Sequence, residues 1–148
     1  MHYLFQLLPH PNALYREAME EMAAKELVAM LEALGVSAPV TRLALGGSIF
    51  MSFEATLSDD ALNRLSQHSS LLLLCAEEGG LLRPLNILRP DYFPREVAEV
   101  LKYKGKTNAG FTRMMINLAL SAAGVSDPHG ATLLDPMCGR GTTLYCGL

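Results

Sequence analysis

Gly46 and Gly47 fall between two strand-like runs, Val40 to Leu45 and Ser48 to Ala55. Glycine reaches positive φ without a side-chain clash, and a two-residue hairpin demands positive φ at its centre. The pair therefore commits the two runs to neighbouring antiparallel strands, and the flanking elements have to be arranged around that hairpin.

On the amino-terminal side, His2 to Leu8 is aromatic and aliphatic and ends before Pro9 and Pro11, which predicts a strand followed by a turn. Asn12 occupies an N-cap position. From Leu14 onward Ala18, Met22, Leu27, Met30, Leu31 and Leu34 recur with roughly helical spacing, and Gly35 is placed to end the helix. Glu21 and Lys25 form an i,i+4 pair on another face of it. On the carboxyl side, Ser58, Asp59 and Asp60 cap a short helix whose apolar side carries Leu62 and Leu65. Leu71 to Cys75 is uniformly apolar and predicts a strand buried on both faces. The order β-α-β-β-α-β is the split arrangement of ferredoxin-like domains, so residues 1–76 are expected to form one α+β ferredoxin-like domain.

Glu77-Glu78-Gly79-Gly80 marks a change of character. Prolines at 84, 90 and 94 define residues 77–106 as a linker, with a strand expected around Leu85 to Leu88 and a short helix over Arg95 to Tyr103. Three lysines, Lys102, Lys104 and Lys106, surround Gly105; such a run is more often a solvated linker than a nucleic-acid strip. Phe111, Met115, Leu118 and Ala122 then lie on one helical stripe closed by Gly124. Asp127, Pro128 and Gly130 make a turn, and Ala131 to Leu134 predicts a strand.

Half of the 148 residues are hydrophobic and 18% are charged, which excludes a disordered chain. A formal charge of -3 gives no bulk attraction to nucleic acid, although a local basic strip is compatible with it. Cys75, Cys138 and Cys146 are odd in number and lack CxxC spacing, which points to free thiols in a reducing compartment and to neither disulfides nor zinc. The start MHYLFQLLPHP lacks the basic leader and small-residue cleavage site of a signal peptide. The longest internal apolar run, Leu71 to Ala76, is too short to span a bilayer. A cytoplasmic protein with no membrane contact is expected. His2, His10, His68 and His129 have no partner at metal-ligand spacing, so no metal site and no catalytic residue is assigned.

The segment ATLLDPMCGRGTT, residues 131–143, carries the chemistry. A strand ending in an acid and passing through two bare glycines into a helix lets a ligand touch backbone, beside a fixed negative charge. A phosphate-binding P-loop would need a lysine after its last glycine, and none is present. The dinucleotide fingerprint would need a third glycine where Leu144 stands. A ligand-free strand-to-helix turn is the remaining alternative.

DPMCGRGTT resembles motif I of class I S-adenosylmethionine-dependent methyltransferases, in the form typical of enzymes that methylate nucleic-acid amino groups. LKYKGKTNAGFTRMMINLALSAAG, residues 101–124, is similar to the helix preceding motif I in THUMP-associated tRNA guanine-N2 methyltransferases, whose amino-terminal regions also include a ferredoxin-like domain. The resemblance implies that S-adenosylmethionine is the cofactor and RNA the substrate. It makes Asp135, Pro136, Cys138, Gly139, Gly141 and Thr142 cofactor-loop positions, with Lys106, Thr107, Asn108 and Phe111 as second-rank candidates. It also implies that residues 107–148 begin an α/β Rossmann-like methyltransferase domain. Only thirteen residues follow Asp135, and no Pro-Pro pair exists for the family's catalytic motif. The chain is therefore expected to be the amino-terminal part of a longer enzyme, inactive alone. Two other readings stand beside this one: a DNA amino-methyltransferase of permuted order, and a non-catalytic ferredoxin-like module that docks RNA or protein.

Overall fold

The computed structural model describes residues 1–9, 15–86, 97 and 105–147. Its elements are β1 (His2–Leu7), α1 (Arg16–Ala33), β2 (Thr41–Leu45), β3 (Ser48–Glu54), α2 (Asp59–Ser66), β4 (Leu71–Glu78), β5 (Leu81–Pro84), α3 (Ala109–Ala122) and α4 (Thr142–Gly147). The expected cap at Asn12 lies outside the described residues, and so does the expected helix over Arg95 to Tyr103 apart from Val97, which is helical.

The protein is α+β, with five strands in one antiparallel sheet ordered β2-β3-β1-β4-β5. Gly46 and Gly47 have φ of 57° and 78°, and the tight turn they make sets Leu45 opposite Ser48. The first strand of the chain lies at the centre of the sheet, with Tyr3 paired to Phe53 on one side and to Ala76 on the other. Alternation then sends Tyr3, Phe5 and Leu7 to the face covered by α1. There they meet Leu27, Met30 and Leu31 of α1, Met51 and Phe53 of β3, Leu65 of α2 and Leu74 of β4. Burying an aliphatic or aromatic side chain of this size contributes about 1.5–3 kcal/mol each, so this single layer carries most of the fold's stability.

The helix ends follow their local chemistry. Ser58 Oγ accepts the Ala61 N–H at 3.2 Å and starts α2. Gly35, at φ 74°, ends α1, and the Val36 N–H reaches back to the Leu31 carbonyl at 2.9 Å.

Three expectations need correction. Glu77-Glu78-Gly79-Gly80 is a second hairpin rather than the start of a linker: Gly79 and Gly80 have φ of 58° and 81° and join β4 to β5. A strand is found at Leu81–Pro84, and of the strand expected over Leu85 to Leu88 the residues Leu85 and Asn86 are outside it, while 87 and 88 lie outside the described residues. Proline is tolerated there because β5 is a sheet edge, where one backbone N–H per pair of residues faces away from the ladder. β4 is not buried on both faces either, since Leu72 is 47% exposed. The helices cover one side of the sheet, and among the described residues the other holds a small buried cluster of Leu4, Phe50 and Cys75.

Ala131 to Leu134 forms no strand. The sheet ends at β2 and β5, neither of which pairs with this segment, and an extended run without a neighbour has no ladder to join. Leu134 is 84% exposed as a result.

Candidate functional site

The bend after Leu134 is held by local backbone bonds. Asp135 Oδ1 accepts the Met137 N–H at 3.0 Å, an Asx turn that leaves its second carboxylate oxygen free of that bond. The Gly141 N–H donates to the Cys138 carbonyl at 2.7 Å and closes the next turn. Gly139 and Gly141 have φ of 55° and 81°, a region that disfavours any residue with a Cβ. α4 follows at Thr142, and its six residues are too few to develop a full helix dipole.

The helix that follows the bend is fixed against α3. A Cβ added at Gly147 would lie 2.6 Å from Leu133 Cδ2 and 3.7 Å from Ile116 Cδ1, so a larger residue there would have to push the Leu133 side chain aside. The Cys146 thiol donates to the Ala109 carbonyl at 3.6 Å, bringing the end of α4 to the first turn of α3. The bend itself stays open: Met137 is 89% exposed, and Pro136, Cys138 and Gly139 are also exposed. Asp135 and Thr142 are half-buried, and Gly141 is buried.

The second-rank candidates lie elsewhere. Lys106, Thr107 and Asn108 line a cleft of about 860 Å³ between the amino-terminal turns of α1 and α3 and the ends of β1, β3 and β4. Asn108 caps α3: its Oδ1 accepts the Phe111 N–H at 3.0 Å, and its carbonyl accepts the Thr112 hydroxyl at 3.0 Å. Phe111 is 39% exposed and does not line that cleft.

α3 presents the opposite face to the one its sequence suggests. The stripe of Phe111, Met115, Leu118 and Ala122 is exposed or half-buried, while Ala109, Thr112, Met114 and Asn117 are buried. The reason is a buried polar network that the apolar pattern does not reveal. Glu26 of α1 is fully buried; its Oε1 accepts the Ser69 N–H at 2.9 Å and the Asn117 amide at 2.7 Å. Its Oε2 accepts the Ser69 hydroxyl. Asn117 also donates to the Gln67 carbonyl at 2.9 Å and accepts from Arg64 Nη1 at 2.9 Å. Burial pulls the Arg64 pKa down and the Glu26 charge opposes that pull, while Nη2 of Arg64 is buried without a partner.

His68 belongs to the same region and is fully buried. Its Nδ1 accepts the Ser70 N–H at 3.0 Å, so the ring proton sits on Nε2, which donates to the Ala23 carbonyl at 3.0 Å. Ser69, His68 and Glu26 do not form a nucleophile relay, because the Ser69 hydroxyl donates to the carboxylate directly and not to the imidazole. One sequence signal pointed here: Glu26 interrupts the apolar stripe of α1 immediately before Leu27.

The three cysteines are free thiols, buried at Cys75 and exposed at Cys138. Among the described residues no group of three or more His, Cys, Asp or Glu side chains is placed to hold a metal, and no helix is long and apolar enough to cross a membrane. No protein-family model, curated protein or solved structure matches the chain.

Proposed function

We propose that the chain carries the cofactor loop of an S-adenosylmethionine-dependent methyltransferase that modifies an exocyclic amine of nucleic acid, N2 of guanine in RNA being the favoured target. The observation that carries this reading is the pair of left-handed glycines, Gly139 and Gly141, set between Asp135 and Thr142 in the order DPMCGRGTT. Bare backbone at these two positions and a partly free carboxylate on Asp135 fit a ligand that bears a sulfonium, an ammonium and a carboxylate. S-adenosylmethionine when bound would supply the methyl group; Asp135 would face its cationic end, and Pro136, Cys138 and Thr142 would frame the bend.

Two features of the surroundings support the reading. The strand order β2-β3-β1-β4, with β1 and β2 separated by β3, is what a ferredoxin-like domain requires, and that domain belongs to the resemblance. Phe111 and Met115 on α3 and Leu134 and Met137 at the bend expose apolar surface, as expected of residues that a methyltransferase sheet would cover. These 148 residues contain no Pro-Pro-aromatic motif, so the chain is proposed to transfer no methyl group by itself.

The test is a nuclear magnetic resonance titration of the chain with millimolar S-adenosylmethionine. Shifts confined to residues around 135–142 are expected; no shift there at saturating cofactor would reject the cofactor loop. Methyl transfer by the chain alone would reject the proposed lack of activity. The second reading, a non-catalytic module that docks RNA, is favoured by the cationic lining of the cleft at Lys106.

A further inference from the structure

The cleft between α1 and α3 is distinct from the glycine bend, none of whose residues lines it. Three cations from three places in the sequence converge on it: Arg16 in the first turn of α1, Lys106 ahead of α3, and Arg113 on α3. None of the three forms an ion pair with an acid among the described residues. The single acid among the described residues of the lining, Glu20, accepts from Arg42 Nε at 2.9 Å, so its charge is already engaged outside the cation set.

The backbone adds to this field. Asn117 of α3 meets Glu26 of α1, and the first turns of both helices line the cleft, so the two helices run in the same direction with their amino ends together. α1 has 18 residues and opens without a side-chain cap, and α3 has 14. Both dipoles therefore place partial positive charge at one rim. Ser70 and Thr107 contribute hydroxyls that can bond anionic oxygens, while the Ser69 hydroxyl is already given to Glu26. The lining contains no Tyr, Phe or Trp among the described residues, so nothing in it offers a ring on which a base would stack.

We propose that this cleft holds the phosphodiester backbone of a single-stranded RNA, read by charge and hydroxyl contacts and not by base. Three unopposed cations on separate elements suit successive phosphates of a strand better than one isolated anion, and a volume of about 860 Å³ exceeds the needs of a single phosphate. The identity of the strand as RNA rests on the methyltransferase reading; the preference for a phosphate strand does not.

Anisotropy of a short fluorescein-labelled single-stranded RNA with the whole chain tests the proposal. Three phosphate contacts predict a slope of about -2 in log affinity against log salt. The double variant R16A/R113A should lose roughly tenfold or more in affinity at low salt and flatten the slope to about -0.7. K25A should change neither, because Lys25 is exposed on α1 and paired with Glu21. All three side chains are exposed or half-buried, so the variants fold; circular dichroism checks this. Unchanged affinity in R16A/R113A overturns the proposal. So does competition by polyglutamate as effective as competition by unlabelled RNA, which would mark a site for acidic protein. Displacement by inorganic phosphate at equal phosphate concentration would assign the cleft to a free anion and likewise overturn it. Cofactor shifts at 135–142 are read separately, so either result can fail while the other stands.

Discussion

Asn117 of α3 joins two opposite charges: its amide donates to Glu26 of α1 at 2.7 Å and its carbonyl accepts from Arg64 of α2 at 2.9 Å. With Asn117 only 4% exposed, this contact pins α3 to the sheet-bearing part of the chain through hydrogen bonds where apolar packing would be the ordinary means.

Removing that bridge leaves a buried carboxylate and a buried guanidinium each short of a partner. Asn117→Ala should destabilise the chain by about 2–4 kcal/mol. Urea denaturation measures the loss, and hydrogen exchange should show α3 losing protection before the sheet does. Equal loss in both places would mean that Asn117 does not set the position of α3.

The two helices offer a contrast in burial. Leu27→Ala, at a side chain with no exposure, should lower stability by about 2–5 kcal/mol. Met115→Ser, at a side chain 50% exposed, should leave the denaturation midpoint nearly unchanged and reduce the binding of a hydrophobic dye. A large stability loss from Met115→Ser would show that the stripe on α3 is already packed.

Gly139 and Gly141 make the bend through backbone that a Cβ resists. Gly139→Ala and Gly141→Ala should each strain it by roughly 1–2 kcal/mol and abolish the cofactor-induced shifts at 135–142, while the spectrum of residues 1–84 stays the same. Shifts that survive both substitutions would detach the cofactor from the glycine bend.

Thiol chemistry should separate the cysteines. Burial pushes the Cys75 thiol pKa above its ordinary value, while Cys138 is exposed. A thiol-exchange reagent at mild alkaline pH should modify Cys138 quickly and Cys75 only on unfolding. Because the folded thiol holds its proton more tightly than the unfolded one, its contribution to stability is complete below the unfolded pKa and is lost as pH rises through the folded value. Denaturation midpoints should therefore fall in the alkaline range for the native chain and fall less for Cys75→Ala. Fast labelling of all three thiols in the folded chain would contradict the burial of Cys75.

Residues 1–76 were largely legible in the sequence because their signals are local. Gly46-Gly47, Ser58 and Gly35 each dictate backbone geometry within a few positions, and all three act as their chemistry requires. Gly79-Gly80 carried the same hairpin signal as Gly46-Gly47, but the prolines that follow suggested a linker, and an edge strand that admits Pro84 was missed. The two further failures share a cause. Ala131 to Leu134 has strand composition, yet a strand is defined by its neighbour, and neighbours are not local information. The apolar stripe of α3 gave the right helix and the wrong buried face, since Asn117 meets Glu26 across 91 positions of chain. Of the candidate site, the glycine bend was visible as a motif. The cleft was not, because Arg16, Lys106 and Arg113 converge only in the folded chain.

The central place of β1 has a bearing on how the protein is made. His2 through Leu7 leave the ribosome before either of their hydrogen-bonded partners, Phe50–Glu54 on one side and Leu71–Glu77 on the other. During synthesis this central strand must wait, unpaired, until α1, the β2–β3 hairpin and α2 have emerged, and such long loop closures are slow. A strand translated ahead of both its neighbours is enclosed late, which makes it the natural point of chaperone contact on a nascent chain.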